Sequence, residues 1–170
     1  MRRVLDHPRT PGAVLAAAAV LLAVALVGLA SLPTGSDTPQ GTVPDGSRVA
    51  ASSRVGDVRV MVLSSRSRLN MLVAYHGEKG WHGVEVDPAP PGTVAAWAAT
   101  RGGGEVPSLS AVYGRATGTR VRVRWRDGQT VETTPESDGT YLVARTGLVR
   151  SSQVLVLGDD GAVLLEVPGP

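Results

Sequence analysis

The stretch Ala13–Ala30, AVLAAAAVLLAVALVGLA, holds no charged and no hydrogen-bonding side chain. A helix apolar on every side has no face to turn to water, so this run cannot lie on the surface of a soluble domain. Its 18 residues fall within the roughly 17–25 that a helix needs to cross a bilayer. Ser31 and Leu32 follow, and Pro33 then stops any helix. The sequence therefore predicts a transmembrane helix over 13–32, a short tag over 1–12, and everything after the helix on the opposite side of the membrane.

Charge gives the orientation. The tag carries Arg2, Arg3 and Arg9 against Asp6, which accounts for the whole formal charge of +2 and leaves the rest of the chain balanced. By the positive-inside rule the tag is cytoplasmic, and the remainder is extracytoplasmic at the cell membrane. A balanced domain is also not the broadly cationic surface that nucleic-acid binding requires, so no nucleic-acid partner is expected. Arg2-Arg3 matches the pair of a twin-arginine export signal, but Asp6 and His7 do not suit one. Gly28 and Ala30 place small residues for cleavage after Ala30. The run is longer than the roughly 7–15-residue core of a cleaved signal, which favours an anchor. Both readings leave residue 33 onward outside the cytoplasm.

No cysteine is present, which excludes disulfides, a thiol nucleophile, thiolate metal sites and lipid attachment through cysteine. Arginine outnumbers lysine 16 to one, the bias of a GC-rich bacterial genome, and phenylalanine is absent. Pro33–Ser47, PTGSDTPQGTVPDGS, buries too little apolar surface to offset the entropy of ordering. It reads as a flexible spacer, and with 48–56 as a frayed lead-in the linker runs over 33–56.

From Asp57 to Pro170 short β-branched runs alternate with turn clusters, the texture of an all-β domain. Strands are predicted at 58–63, 69–75, 81–86, 93–100, 109–115, 119–126, 140–146, 153–157 and 162–167. The alanines of 93–100 also suit a helix, and the all-β neighbourhood decides for a strand. Asp87–Gly92, DPAPPG, reads as a loop that no strand runs through. The runs 153–157 and 162–167 are nearly all apolar, as in strands buried on both faces or strands central to a sandwich. Thr119–Arg126, TRVRVRWR, alternates most cleanly: Val121, Val123 and Trp125 on one face, Arg120, Arg122, Arg124 and Arg126 on the other. Parity fixes the turn that follows. A two-residue Asp-Gly loop would set Val123 against Glu132. A three-residue loop with Gly128 left-handed sets Val123 against Val131 and Arg122 against Glu132, so both faces agree. The predicted fold is a small antiparallel β-sandwich of about eight or nine strands behind an N-terminal transmembrane helix, with a partly open barrel second.

The segment from Val112 to Val167 carries a Tyr-Gly strand (Tyr113, Gly114), the alternating Val strand, an Asp-Gly turn, Asp-Gly-Thr-Tyr (Asp138–Tyr141) and a last Asp-Gly hairpin. It resembles the immunoglobulin-like and prealbumin-like domains of bacterial envelope proteins. That resemblance implies a domain that binds, spaces or scaffolds, with no catalytic residues.

Candidate chemistry is sparse. His76, Glu78, His82, Glu85 and Asp87 lie close in sequence, and two histidines with a carboxylate can hold zinc. The spacing matches no zinc motif, and on one strand His82 and Glu85 face opposite ways. A hydrolase would need His76 or His82 as its base, and no serine lies in a G-x-S-x-G elbow. Arg101–Glu105 shares only its glycines with a phosphate loop. Trp81 and Trp97 are either core or a carbohydrate-stacking pair. The arginine row Arg120, Arg122, Arg124 and Arg126, with same-face spacing of about 7 Å, is the foremost candidate binding surface. It would meet anionic lipid, a wall polymer or an acidic envelope protein, unless Glu132 neutralises it. The expectation is a single-pass membrane protein with a non-catalytic interaction module, no cofactor and no metal. The alternative is a secreted hydrolase or metal enzyme centred on His76 and His82.

Overall fold

The computed structural model describes residues 43–77, 80–103 and 106–170. The tag and the apolar run lie outside these residues. The described chain is all-β and antiparallel, with eleven strands and no helix: β1 Arg48–Val55, β2 Val58–Ser64, β3 Leu69–Gly77, β4 Gly80–Ala89, β5 Ala96–Thr100, β6 Leu109–Arg115, β7 Arg120–Trp125, β8 Thr130–Thr133, β9 Thr140–Thr146, β10 Ser151–Leu157 and β11 Val163–Pro168. They form three sheets, ordered β1-β2-β3-β4, β5-β6-β9 and β11-β10-β7-β8.

The three-stranded sheet is apolar on both faces. One face places Ala98, Leu109, Ala111, Tyr113 and Leu142 in a core with Val58, Val60, Val62, Leu69, Met71 and Val73 of the first sheet. The opposite face places Val112, Tyr141 and Val143 in a second core with Val121, Val123, Trp125, Val154 and Val156 of the last sheet. Strands β6 and β9 therefore supply alternate residues to two cores, which is why neither shows an apolar/polar alternation. The first sheet also meets the three-stranded one at its margins, β1 running beside β9 and β4 beside β5. A third cluster, Met61, Leu63, Leu72 and Ala74 with Val43 and Val49, occupies the other face of β2 and β3.

Gly114 permits one close approach. The backbone of Thr93 and Val94 crosses β6 there, with the Arg115 N–H donating to the Thr93 carbonyl at 2.9 Å, and a Cβ on Gly114 would collide with the Val94 carbonyl. The Tyr141 hydroxyl donates to that same carbonyl at 2.7 Å. Burial raises the Tyr141 pKa far above the ordinary phenol value.

The β7–β8 hairpin has the register that parity requires: Val123 opposite Val131, Arg122 opposite Glu132, and a three-residue loop closed by Trp125 and Gln129 with Gly128 at φ +87°. Three other expectations are corrected. Among the described residues the strands number eleven rather than eight or nine, partly because Arg48–Val55 is a strand and not the end of a linker. Its inward residues include Ala51 and Ser53, whose weak β-propensity hides the alternation. Strand β4 runs on through Asp87 and Pro88. It is an edge strand with a bulge against Leu69–Met71, so the missing proline N–H leaves no rung of an interior ladder unpaired.

Strand β11 is mostly exposed on both faces, with Val167 half-buried against the second core. Val163, Leu164 and Leu165 are 55%, 57% and 43% exposed. The three-stranded sheet covers the middle pair β10 and β7, and of the outer strand β11 Val167 packs against that core. Val131 on β8, opposite the fully buried Val123, is likewise 39% exposed.

Candidate functional site

The arginine row is three residues long. Strand β7 ends at Trp125, and Arg126 opens the turn, its Nη2 donating to the Pro170 carbonyl at 2.5 Å and its N–H to the Arg150 carbonyl at 2.9 Å. Arg120, Arg122 and Arg124 share the outer face of the last sheet. Glu132 answers two of them, accepting from Arg122 Nε at 2.6 Å and lying 3.7 Å from Arg120 Nη1. Across the ladder Arg122 and Arg120 stand opposite Leu155 and Leu157, which are buried although they belong to this outer face. Aliphatic stems of arginine cover apolar neighbours while the guanidinium stays wet. The row thus shields two leucines and has a carboxylate at its centre.

A second arginine site was invisible to pattern reading. Between the end of β5 and the start of β10 lies a cleft of about 640 Å³, lined by Trp97, Ala98, Ala111, Trp125, Leu148, Val149 and Ser151, with Arg101 and Arg150 at its polar positions. Pro170 completes the lining, and among the described residues no Asp or Glu side chain belongs to it. The connection from β9 to β10 forms one wall and is fastened to β6. Ser110 Oγ donates to the Gly147 carbonyl at 2.8 Å and accepts from the Val149 N–H at 2.9 Å, and the Gly147 N–H donates to the Ser108 carbonyl at 2.7 Å. The Trp97 indole N–H donates to Ser151 Oγ, which ties β5 to β10 across the cleft floor. Trp125 is buried beneath the cleft, and among the described residues its indole N–H meets no protein acceptor.

Behind Trp125 lies a compensated cation. Arg145 is centred 5.4 Å over the Trp125 ring and pairs with Asp127 at 2.8 Å. Desolvation acts to raise the Asp127 pKa, but the Gln129 N–H and Arg145 outweigh it, and the net shift is downward. At the β1–β9 margin Asp138 takes Arg48 at 2.5 Å and Arg115 at 3.8 Å. There too desolvation raises the pKa, and the Thr140 hydrogen bonds and Arg48 more than reverse it.

The remaining sequence candidates separate. His76 pairs with Trp81, and Tyr75 with His82, across the β3–β4 ladder. The His82 ring stacks on Tyr75 with centroids 5.3 Å apart and an interplanar angle of 27°. Glu85 lies on the opposite face and accepts from Asn70 Nδ2. Among the described residues no three His, Asp or Glu side chains gather as a metal site. Trp97 shares its cleft with Trp125, whereas Trp81 belongs to a strand of another sheet. Gly103 and Val106 form an isolated bridge, and the Gly102 N–H donates to Ser108 Oγ at 2.9 Å, so the glycine turn closes on its own backbone.

No protein-family model, curated protein or solved structure matches this chain.

Proposed function

We propose that this protein is a single-pass membrane protein that displays a stacked β-sandwich outside the cytoplasm as a binding or scaffolding module of the bacterial envelope. One observation carries the reading: an 18-residue run without a polar side chain, preceded by all of the chain's excess positive charge. The spacer after it lets the domain stand off the bilayer. The resemblance to immunoglobulin-like and prealbumin-like domains belongs to the same proposal, as do an envelope protein or wall polymer as partner and a non-catalytic role. The all-β, multi-sheet architecture of residues 43–170 supports it.

The test is the mass of the protein's amino-terminal peptide in membrane and medium fractions. The reading predicts an uncleaved amino terminus in the membrane fraction. A species beginning at Ser31 in the medium would replace the anchored module with a secreted domain.

A further inference from the structure

We propose that the cleft between β5 and β10 binds a small organic anion, an aromatic or branched apolar body ending in a carboxylate. This goes beyond the envelope role and depends neither on the membrane anchor nor on the arginine row.

Four features carry it. The volume, about 640 Å³, lies in the range of roughly 300–1,000 Å³ typical of small-molecule sites. The walls are apolar and include an indole face at Trp97, and Leu148, 53% exposed, is an aliphatic side chain open to water until a ligand covers it. The charged side chains are of one sign: Arg101 and Arg150 line the cleft and, among the described residues, no Asp or Glu side chain does, whereas Glu132, Asp127 and Asp138 answer arginines elsewhere in the domain. A guanidinium fork matches a carboxylate in geometry as well as in charge. Finally, the wall is preformed. Ser110 fastens the Gly147–Val149 segment from both directions, so little ordering remains to be done on binding. A carbohydrate is the weaker fit, because the serine hydroxyls of the cleft already serve the protein's own backbone and Trp97.

The experiment uses the isotope-labelled full chain in nanodiscs of neutral lipid, titrated with phenylpropionate and, separately, with its neutral amide. The readout is the indole N–H signals of Trp97 and Trp125, assigned by Trp→Phe variants. The acid is expected to shift these signals saturably and to bind at least about tenfold more tightly than the amide, the scale of a charge-assisted hydrogen bond. Arg101→Gln combined with Arg150→Gln should bring the acid down to the amide's affinity while leaving the amide's own shifts in place, which shows that the cleft is still folded. Equal affinity for acid and amide, no saturable shift with either, or a double variant that still prefers the acid would each overturn the proposal.

Discussion

The outer face of β7 and the cleft beside β5 both present arginines, and they differ in what answers them. On β7 a single glutamate lies between Arg120 and Arg122, and buried leucines stand opposite both arginines in the next strand. In the cleft, Arg101 and Arg150 have mostly apolar neighbours and, among the described residues, no Asp or Glu side chain. An arginine row reads loudly in sequence because alternation repeats it. The cleft is assembled from single residues far apart in the chain. Visibility in the sequence and availability for binding therefore run in opposite directions in this domain.

The comparison can be broken at the cleft's foundations first. Gly114→Ala drives a Cβ into the Val94 carbonyl and displaces the lead-in to β5 on which Trp97 stands. Overpacking against rigid backbone should cost about 3 kcal/mol, read as a lower denaturation midpoint in urea with an unchanged slope. Ser110→Ala removes the hydroxyl that holds Gly147 and Val149 and leaves a half-buried N–H and carbonyl without that partner. It should cost about 1–3 kcal/mol and speed amide hydrogen exchange in 147–150 while β7 and β8 exchange as before.

Acid separates the compensated pairs from the uncompensated ones. The Asp138 pKa is lower in the folded state, so its pairing with Arg48 and Arg115 stabilises fully above the ordinary carboxylate value near 3.8. That contribution is lost as pH falls through the folded value. Melting temperature should therefore drop below about pH 4 in the wild type and drop less steeply in Asp138→Asn.

The smallest stability effect belongs to Glu132→Gln, an exposed ion pair worth about 0–1 kcal/mol. Its consequence lies in charge. Freed of their partner, Arg120 and Arg122 should strengthen binding to vesicles rich in anionic lipid, with an affinity that falls as salt rises. Unchanged vesicle binding would show that Glu132 does not restrain the row.

Much of the fold was legible in the sequence where one strand faces one core. The β7–β8 register followed from parity because a single-residue slip would have placed Glu132 opposite Val123. Strand β1 escaped because alanine and serine do its inward work. Strand β11 misled because an apolar run reads alike in a strand covered on both faces and in an outer strand that is mostly exposed. The cleft had no local signal at all. Arg101, Ser110, Leu148 and Arg150 come together only through the three-dimensional pairing of β6 with β9 and of β7 with β10.

The most direct test of the central reading, a binding domain held outside the membrane, uses the absence of native cysteine. His7→Cys and Asp159→Cys each introduce one thiol, the first in the basic tag and the second in the exposed β10–β11 turn. A membrane-impermeant maleimide is then applied to intact cells. The reading predicts labelling at 159 in intact cells, labelling at 7 only after permeabilisation, and recovery of both proteins in the membrane fraction. Labelling at 159 only after the cells are opened would contradict it.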